Sequence, residues 1–174
     1  YFSDASDTYD QHEYMKDILE ARPHGRLLMY DPASKKTSVL LQDLFFANGI
    51  AVSEGGDFVL VNETGKYRVT RYWLKGEKTG TTDIFIDNLP GFPDGISRGE
   101  DATFWLAIPS PRNPILDNAH PKPWLKNIFA KLPKWASPGA IKMGMVIHLD
   151  SQGEIIASYQ DLSGEHISMV TSIE

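Results

Sequence analysis

The strongest constraint on the fold of this chain is a segment that occurs twice. Residues 44–53 read LFFANGIAVS, and residues 89–97 read LPGFPDGIS. In each copy a leucine ends one apolar run, and Asn-Gly-Ile or Asp-Gly-Ile opens the next. Asn48 and Asp94 hold the same place in the two copies, 46 residues apart. Self-similarity at a fixed period of this length indicates tandem structural units.

Each unit is predicted to contain four strands. Between the two copies the runs GIAV, FVLVNE, YRVTRYWL and TTDIFIDNL alternate with turns rich in Gly, Asp and Thr. The runs GRLLMY and TSVLLQDL precede them, and ATFWLAI, GMVIHLD and EIIASYQDL follow. The units end at Leu44, Leu89 and Leu162. A repeated four-stranded unit of about 40 to 50 residues is typical of a β-propeller blade.

The predicted fold is therefore an all-β, partial β-propeller with about three blades. Residues 1–44 form part of a blade, residues 45–89 a blade, residues 90–162 a blade with an insertion at 109–140, and residues 163–174 the start of another. An α/β fold does not fit, because helices do not separate the strands. A β-sandwich does not predict so regular a repeat. Since propellers close with about four to eight blades, we expect a fragment of a longer protein or self-association of the open blade faces.

Two segments depart from the strand pattern. From Thr8 to Ala21 the apolar residues recur at helical spacing, which predicts a short helix. The insertion carries five basic residues against Asp117 alone. Its run PWLKNIFAKL also has an apolar helical stripe, formed by Trp124, Leu125, Ile128, Phe129 and Leu132. That helix could pack on the propeller, form a lid over the channel mouth, or lie on an anionic membrane.

Charge and composition exclude several classes of function. The net charge of −6 argues against general nucleic-acid binding, which needs a basic surface. The absence of cysteine excludes disulfides, thiolate metal sites and thiol nucleophiles. No apolar run is long enough to span a membrane and no signal peptide is visible, so a membrane tether is expected only in a segment N-terminal to Tyr1.

Asn48 and Asp94 are the candidate site residues. Asn-Gly and Asp-Gly are strong turn signals by themselves. At the start of the innermost strand of successive blades, however, the two side chains would converge at the channel mouth. Amide and carboxylate oxygens converging on one point suit Ca²⁺, which takes about 6 to 8 oxygen ligands. His166, in a loop before the next blade, is the candidate catalytic residue, whereas Asp4 and Glu63 are interpreted as turn or surface acids.

The order of the motifs resembles the strictosidine synthase-like family, of the adipocyte plasma membrane-associated type. The resemblance rests on YFSDAS, GRLLMYDP, FANGIAVS, FVLVNET, RYWL and LPGFPDGI, with PRNP and PWLKNI in the insertion. It implies a six-bladed propeller, distantly related to paraoxonases and gluconolactonases, of which this chain is the central to later portion. In those relatives the Asn of the ANGI-type motif and the Asp of the PDG-type motif bind the catalytic divalent cation. The matching positions are Asn48 and Asp94; Gly95 replaces a further ligand of paraoxonases.

Strictosidine synthases proper condense an amine with an aldehyde, without metal, by means of a Glu on the innermost strand of the last blade. Residues 169–174 resemble that strand, and the Glu position falls on Thr171 or, with a one-residue slip, on Val170. Neither residue is acidic. The first hypothesis is therefore a calcium-dependent hydrolase of small esters or lactones acting on a small molecule in the propeller channel. The alternatives are an amine–aldehyde condensing enzyme and a non-catalytic interaction platform.

Overall fold

The computed structural model describes residues 1–131 and 141–173, in which three antiparallel sheets follow one another along the chain. The first contains β1 (Phe2–Asp4), β2 (Gly25–Asp31) and β3 (Lys36–Leu44). The second contains β4 (Ala47–Val52), β5 (Phe58–Glu63), β6 (Arg68–Trp73) and β7 (Thr82–Ile86). The third contains β8 (Ile96–Arg98), β9 (Phe104–Ile108), β10 (Gly144–Leu149) and β11 (Ile155–Asp161). Each sheet is a meander in which neighbours in sequence pair, as the repeat predicted.

Strand β5 shows how the sheets stack. All six of its residues are buried. Because successive side chains point to opposite faces of the sheet, both faces of β5 are covered. Phe58 and Leu60 enter a core shared with the third sheet, where Phe104 and Leu106 are also buried. Val59 and Val61 instead enter a core shared with the first sheet. The middle sheet is thus covered on both faces, which is the packing of a β-propeller blade and confirms the predicted fold class.

The two terminal sheets expose several large apolar side chains. In β11 every residue is exposed or half-exposed, including Ile155, Ile156 and Tyr159. In the first sheet Phe2, Tyr30 and Val39 are also exposed. Self-association through these faces stays a prediction.

Two segments outside the sheets form what we call the helical cap, residues 5–24 and 109–131. Helix α1 (Tyr14–Glu20) follows a 3₁₀ turn at Gln11–Glu13, so the first predicted helix is present but shorter. Helix α2 (Pro114–Ala119) was not predicted, and α3 (Pro123–Phe129) occupies part of the predicted amphipathic run.

The apolar stripe of α3 is only partly buried. Trp124 and Ile128 are 63% and 49% exposed, Leu125 and Phe129 are half-buried, and Leu132 lies outside the described residues. The Lys126 ammonium donates to the Glu20 carbonyl, which fixes α3 against the end of α1. Helix α3 therefore contacts α1 instead of burying its whole stripe on a sheet. No helix in the described ranges is long and apolar enough to cross a membrane.

Candidate functional site

Backbone hydrogen bonds between consecutive repeats build one end of the stack. The Gly49 amide donates to the Asp94 carbonyl at 2.8 Å, and the Gly95 amide donates to the Thr171 carbonyl at the same distance. The segment around Gly49 is thus joined to the segment around Asp94, and the segment around Gly95 is joined in the same way to the segment around Thr171. Asn48, Asp94 and Thr171 are therefore placed side by side at this end of the sheets. We call these three residues the floor.

Only glycine fits at the two donor positions. A Cβ added to Gly49 would lie 2.7 Å from the Ile96 nitrogen, and one added to Gly95 would lie 3.0 Å from the Ser172 Cα. Each added atom would also press on the carbonyl oxygen that accepts the glycine's hydrogen bond. The glycine of the Asn-Gly and Asp-Gly pairs is thus required by a close approach of two backbones.

The floor lies at the base of a cavity of about 280 Å³, which we call the mouth pocket. The helical cap forms part of its wall through Met15 and Ile18 of α1 and Leu116 of α2. Pro109 and Pro111 also belong to the cap, and the remaining wall is mainly apolar, with Phe46, Phe92, Ile141 and Met169. The pocket therefore combines a polar floor with apolar walls, the usual composition of a small-molecule site.

Asp94 is half-buried and lines the mouth pocket together with Asn48. Burial raises the pKa of the Asp94 carboxyl, and the hydrogen bond from Asn48 partly opposes that rise. An asparagine amide that donates through its nitrogen to a carboxylate keeps its oxygen for a ligand. The floor thus brings a carboxylate, an amide and a hydroxyl side chain to one cavity.

Buried polar residues of β5 and the turn after it hold the backbone beneath the floor. The Asn62 amide donates to the Asp94 carbonyl at 2.6 Å, and the Thr64 hydroxyl donates to the Pro93 carbonyl at 2.6 Å. Both side chains are buried. They fix the PDG turn from inside the protein, so the position of Asp94 does not depend on its own side chain.

Glu63 is the residue that sequence reasoning placed wrongly. Its interpretation as a turn or surface acid is incorrect, because the side chain is fully buried. Its carboxylate accepts from the Phe45 amide at 3.0 Å, the Arg68 guanidinium at 2.7 Å and the Thr70 hydroxyl at 2.6 Å. It anchors the linker that leads to Asn48. Asp4, by contrast, is half-exposed and pairs with Arg26.

The predicted site residues have different surroundings. Asn48 and Asp94 share the mouth pocket, whereas His166 is exposed and is not among the residues that line it. The His166 amide donates to the Asp161 carboxylate at 2.9 Å, within a turn that this carboxylate organises. A catalytic role for His166 stays a prediction. The structure adds Thr171 to the floor. The sequence predicts that residues 163–174 begin another blade, but residues 163–173 have no regular strand structure.

The side chains of the floor carry oxygen atoms, the type of donor that suits a divalent cation such as Ca²⁺. Neutral and anionic oxygens are the ligands that Ca²⁺ prefers, and the pocket lining holds no competing thiol or imidazole among the described residues. The number of donors is smaller than a full set. Residues 1–131 and 141–173 hold no group of three or more His, Cys, Asp or Glu side chains arranged for a metal. Water, substrate or further chain would have to supply the other ligands.

A family model and individual sequences point to the same group of proteins. A model of the family described as strictosidine synthase matches residues 1–77. The protein strictosidine synthase-like 6 of Arabidopsis thaliana is 37% identical over 169 residues, which are 97% of this chain and 45% of that protein. The adipocyte plasma membrane-associated protein of Gallus gallus is 34% identical over 177 residues, 98% of this chain and 43% of that protein. The chain thus spans less than half the length of these two relatives.

Solved structures show the same fold at low sequence identity. A gluconolactonase from Xanthomonas campestris superimposes with a TM-score of 0.55 at 15% identity, over 86% of this chain and 37% of that one. A calcium-binding protein, regucalcin, from Agrobacterium tumefaciens gives 0.51 at 19% identity, over 79% of this chain and 37% of that one. At such identities the likeness establishes the propeller architecture.

Proposed function

Since this chain belongs to the strictosidine synthase-like family, we propose that it forms the substrate-binding part of a propeller that hydrolyses small esters or lactones with a divalent cation, most simply Ca²⁺. The observation that carries the proposal is the floor of the mouth pocket, where Asn48 and Asp94 meet from equivalent positions of two repeats. A gluconolactonase and a calcium-binding protein among the structural neighbours support the choice of chemistry.

Each part of the pocket has a distinct role in this proposal. Asp94 and the amide oxygen of Asn48 act as ligands, and the backbone beneath them holds both in place. A cation held by these two residues would supply Lewis-acid chemistry toward a substrate carbonyl group. The apolar walls exclude bulk water, which strengthens electrostatic interactions inside the pocket. The general base is not assigned to a residue.

Calcium titration and hydrolysis assays test this function. Calorimetry should detect Ca²⁺ binding to the chain, and EDTA should abolish turnover of phenyl acetate and of a γ-lactone. Asp94→Asn keeps the size of the side chain but removes its charge, so we expect a loss of Ca²⁺ affinity of roughly tenfold or more. Asp87→Asn changes an exposed acid outside the pocket and should have no effect. Unchanged metal affinity and turnover in Asp94→Asn and Asp94→Ala would rule the proposal out.

Amine–aldehyde condensation is the less favoured function. The position that the resemblance matches to the catalytic Glu is Thr171, and its hydroxyl cannot act as a carboxylate base. Thr171 does line the mouth pocket, so the position itself is available to a substrate. Formation of a condensation product from tryptamine and an aldehyde, without metal, would favour this function over hydrolysis.

A further inference from the structure

The walls of the mouth pocket define which esters or lactones it can accept. Nine of the sixteen lining residues are Met, Ile, Leu, Phe or Pro. Asp94 is the only charged side chain in that lining, among the residues that the structure describes. A substrate carboxylate or phosphate would therefore find no cationic side chain in the walls to pair with.

Two of the four polar side chains in the walls, those of Thr64 and Asn113, already have partners. The Thr64 hydroxyl donates to the Pro93 carbonyl. The Asn113 side-chain oxygen accepts from the amides of Ile115 and Leu116, where it caps α2. These two oxygens are engaged within the protein, and a substrate hydroxyl group buried against the apolar residues of the walls without a partner is unfavourable.

We infer that the mouth pocket selects neutral esters or lactones with an apolar substituent, and that it discriminates against polyhydroxylated sugar lactones. The inference rests on the proposed hydrolase for the reacting carbonyl group, which lies at the floor. The apolar substituent packs against the walls, where Met15 and Met169 face the cavity from opposite parts of the chain. Met15 belongs to the helical cap, so the cap is a determinant of specificity.

Lactams test this preference without catalysis, because they resist hydrolysis and have the same ring carbonyl. The full chain, labelled with ¹³C at its methionine methyl groups and kept in EDTA, is titrated with 5-methyl-, 5-propyl- and 5-hexyl-2-pyrrolidinone and with glucono-δ-lactam. The signals of Met15 and Met169 should shift, and the dissociation constant should fall about two- to fourfold for each added methylene group. Met29 lies in β2 outside the pocket and is the internal control. Glucono-δ-lactam should leave all the signals unchanged.

A variant pair locates the effect in the pocket wall. Met15 is 39% exposed, so Met15→Gln removes an apolar contact at little risk to the core. We expect it to weaken binding of the hexyl lactam about three- to tenfold while that of the methyl lactam hardly changes. Ile128→Gln alters an exposed residue of α3 outside the pocket and should change neither.

The outcomes separate this inference from the proposed hydrolase. Binding without dependence on chain length, tighter binding of glucono-δ-lactam, or no response of Met15 and Met169 to any lactam overturns the apolar preference. Because the titrations contain EDTA, none of these results depends on calcium or turnover. Chain-length-dependent binding in a protein without calcium-dependent turnover supports the apolar pocket and rejects only the hydrolase.

Discussion

The floor and the helical cap enclose the same pocket but are held in different ways. The floor is fixed by backbone hydrogen bonds between successive repeats and by buried side chains such as Glu63 and Asn62. The cap is fixed by individual polar contacts between distant segments. Its side chains at His120 and Lys126 reach carbonyls of α1, more than 100 residues earlier in the chain.

This difference separates the position of the reactive groups from the choice of substrate. Repeat-based contacts place Asn48 and Asp94 wherever the propeller forms, because the hydrogen bonds come from the backbone. The cap contributes walls to the pocket and no part of the floor. We therefore expect changes at the floor to alter folding and reactivity together, and changes in the cap to alter selectivity with smaller losses of stability.

The largest expected effect is that of Glu63→Gln. Three donors converge on the buried carboxylate, and the amide group of Gln would turn an NH₂ toward at least one of them. Breaking a buried ion pair from one side costs about 3 to 5 kcal/mol. Urea unfolding should show a loss of this size, and ligand binding at the floor should weaken with it.

Asp83→Asn is the matched control for Glu63→Gln. Asp83 pairs with Arg71 and Trp73 but is one-third exposed, so its loss should cost about 1 kcal/mol or less. Equal losses in the free energy of unfolding of the two variants would show that the buried contacts of Glu63 stabilise the protein no more than the partly exposed contacts of Asp83.

The next largest effect is expected for Gly95→Ala, which tests the backbone contact between repeats. The new Cβ would press on the Thr171 carbonyl oxygen and lie 3.0 Å from the Ser172 Cα. Overpacking against backbone costs about 1 to 3 kcal/mol. Gly76→Ala is the control, because its Cβ meets nothing within 4 Å and only a positive φ of 77° opposes it. Differential scanning calorimetry should show the larger loss of stability in Gly95→Ala; the reverse order would contradict the proposed role of this contact.

The sequence predicts the floor better than the cap, because the floor is built by a periodic repeat and the cap by individual contacts between distant residues. The period of the repeat places Asn48 and Asp94 in equivalent positions, and strand alternation predicts the stacked sheets. Thr171 was harder to identify as a floor residue because the insertion lengthens its repeat. Glu63 was missed because an acid at a strand end gives no sign of the donors that gather around it. Contacts such as that between His120 and Ile18 depend on tertiary packing and leave no periodic signal.

Tyr67→Phe tests how firmly the cap is attached to the middle sheet. The Tyr67 hydroxyl donates to the Asp117 carboxylate of α2 at 2.8 Å, and burial together with this hydrogen bond raises the pKa of the phenol. Removing the hydroxyl should cost about 1 kcal/mol. It should also shift the Met15 methyl signal and leave calcium binding unchanged. Tyr159→Phe, at a 58% exposed position, is the control. A loss of calcium affinity in Tyr67→Phe would show that floor and cap are coupled.

The smallest expected effect is a pH dependence of the cap that comes from His120. Its ring nitrogen Nε2 lies 3.1 Å from the Ile18 carbonyl, which as an acceptor requires a proton on that nitrogen. Burial lowers the pKa of His120, with Lys126 and Lys66 adding to the decrease and Asp117 and the Ile18 carbonyl opposing it.

The unfolded chain therefore binds a proton at His120 more readily than the folded chain does. The stabilisation is present above the ordinary histidine pKa of about 6.5 and is lost as the pH falls below it, through the folded-state value. Thermal unfolding between pH 7.5 and 5.5 should show this loss, and His120→Gln should reduce the slope. The exposed His12 provides the control variant, since His12→Gln should leave the slope unchanged. If His120→Gln retained the full slope, His120 would not be the origin of the pH dependence.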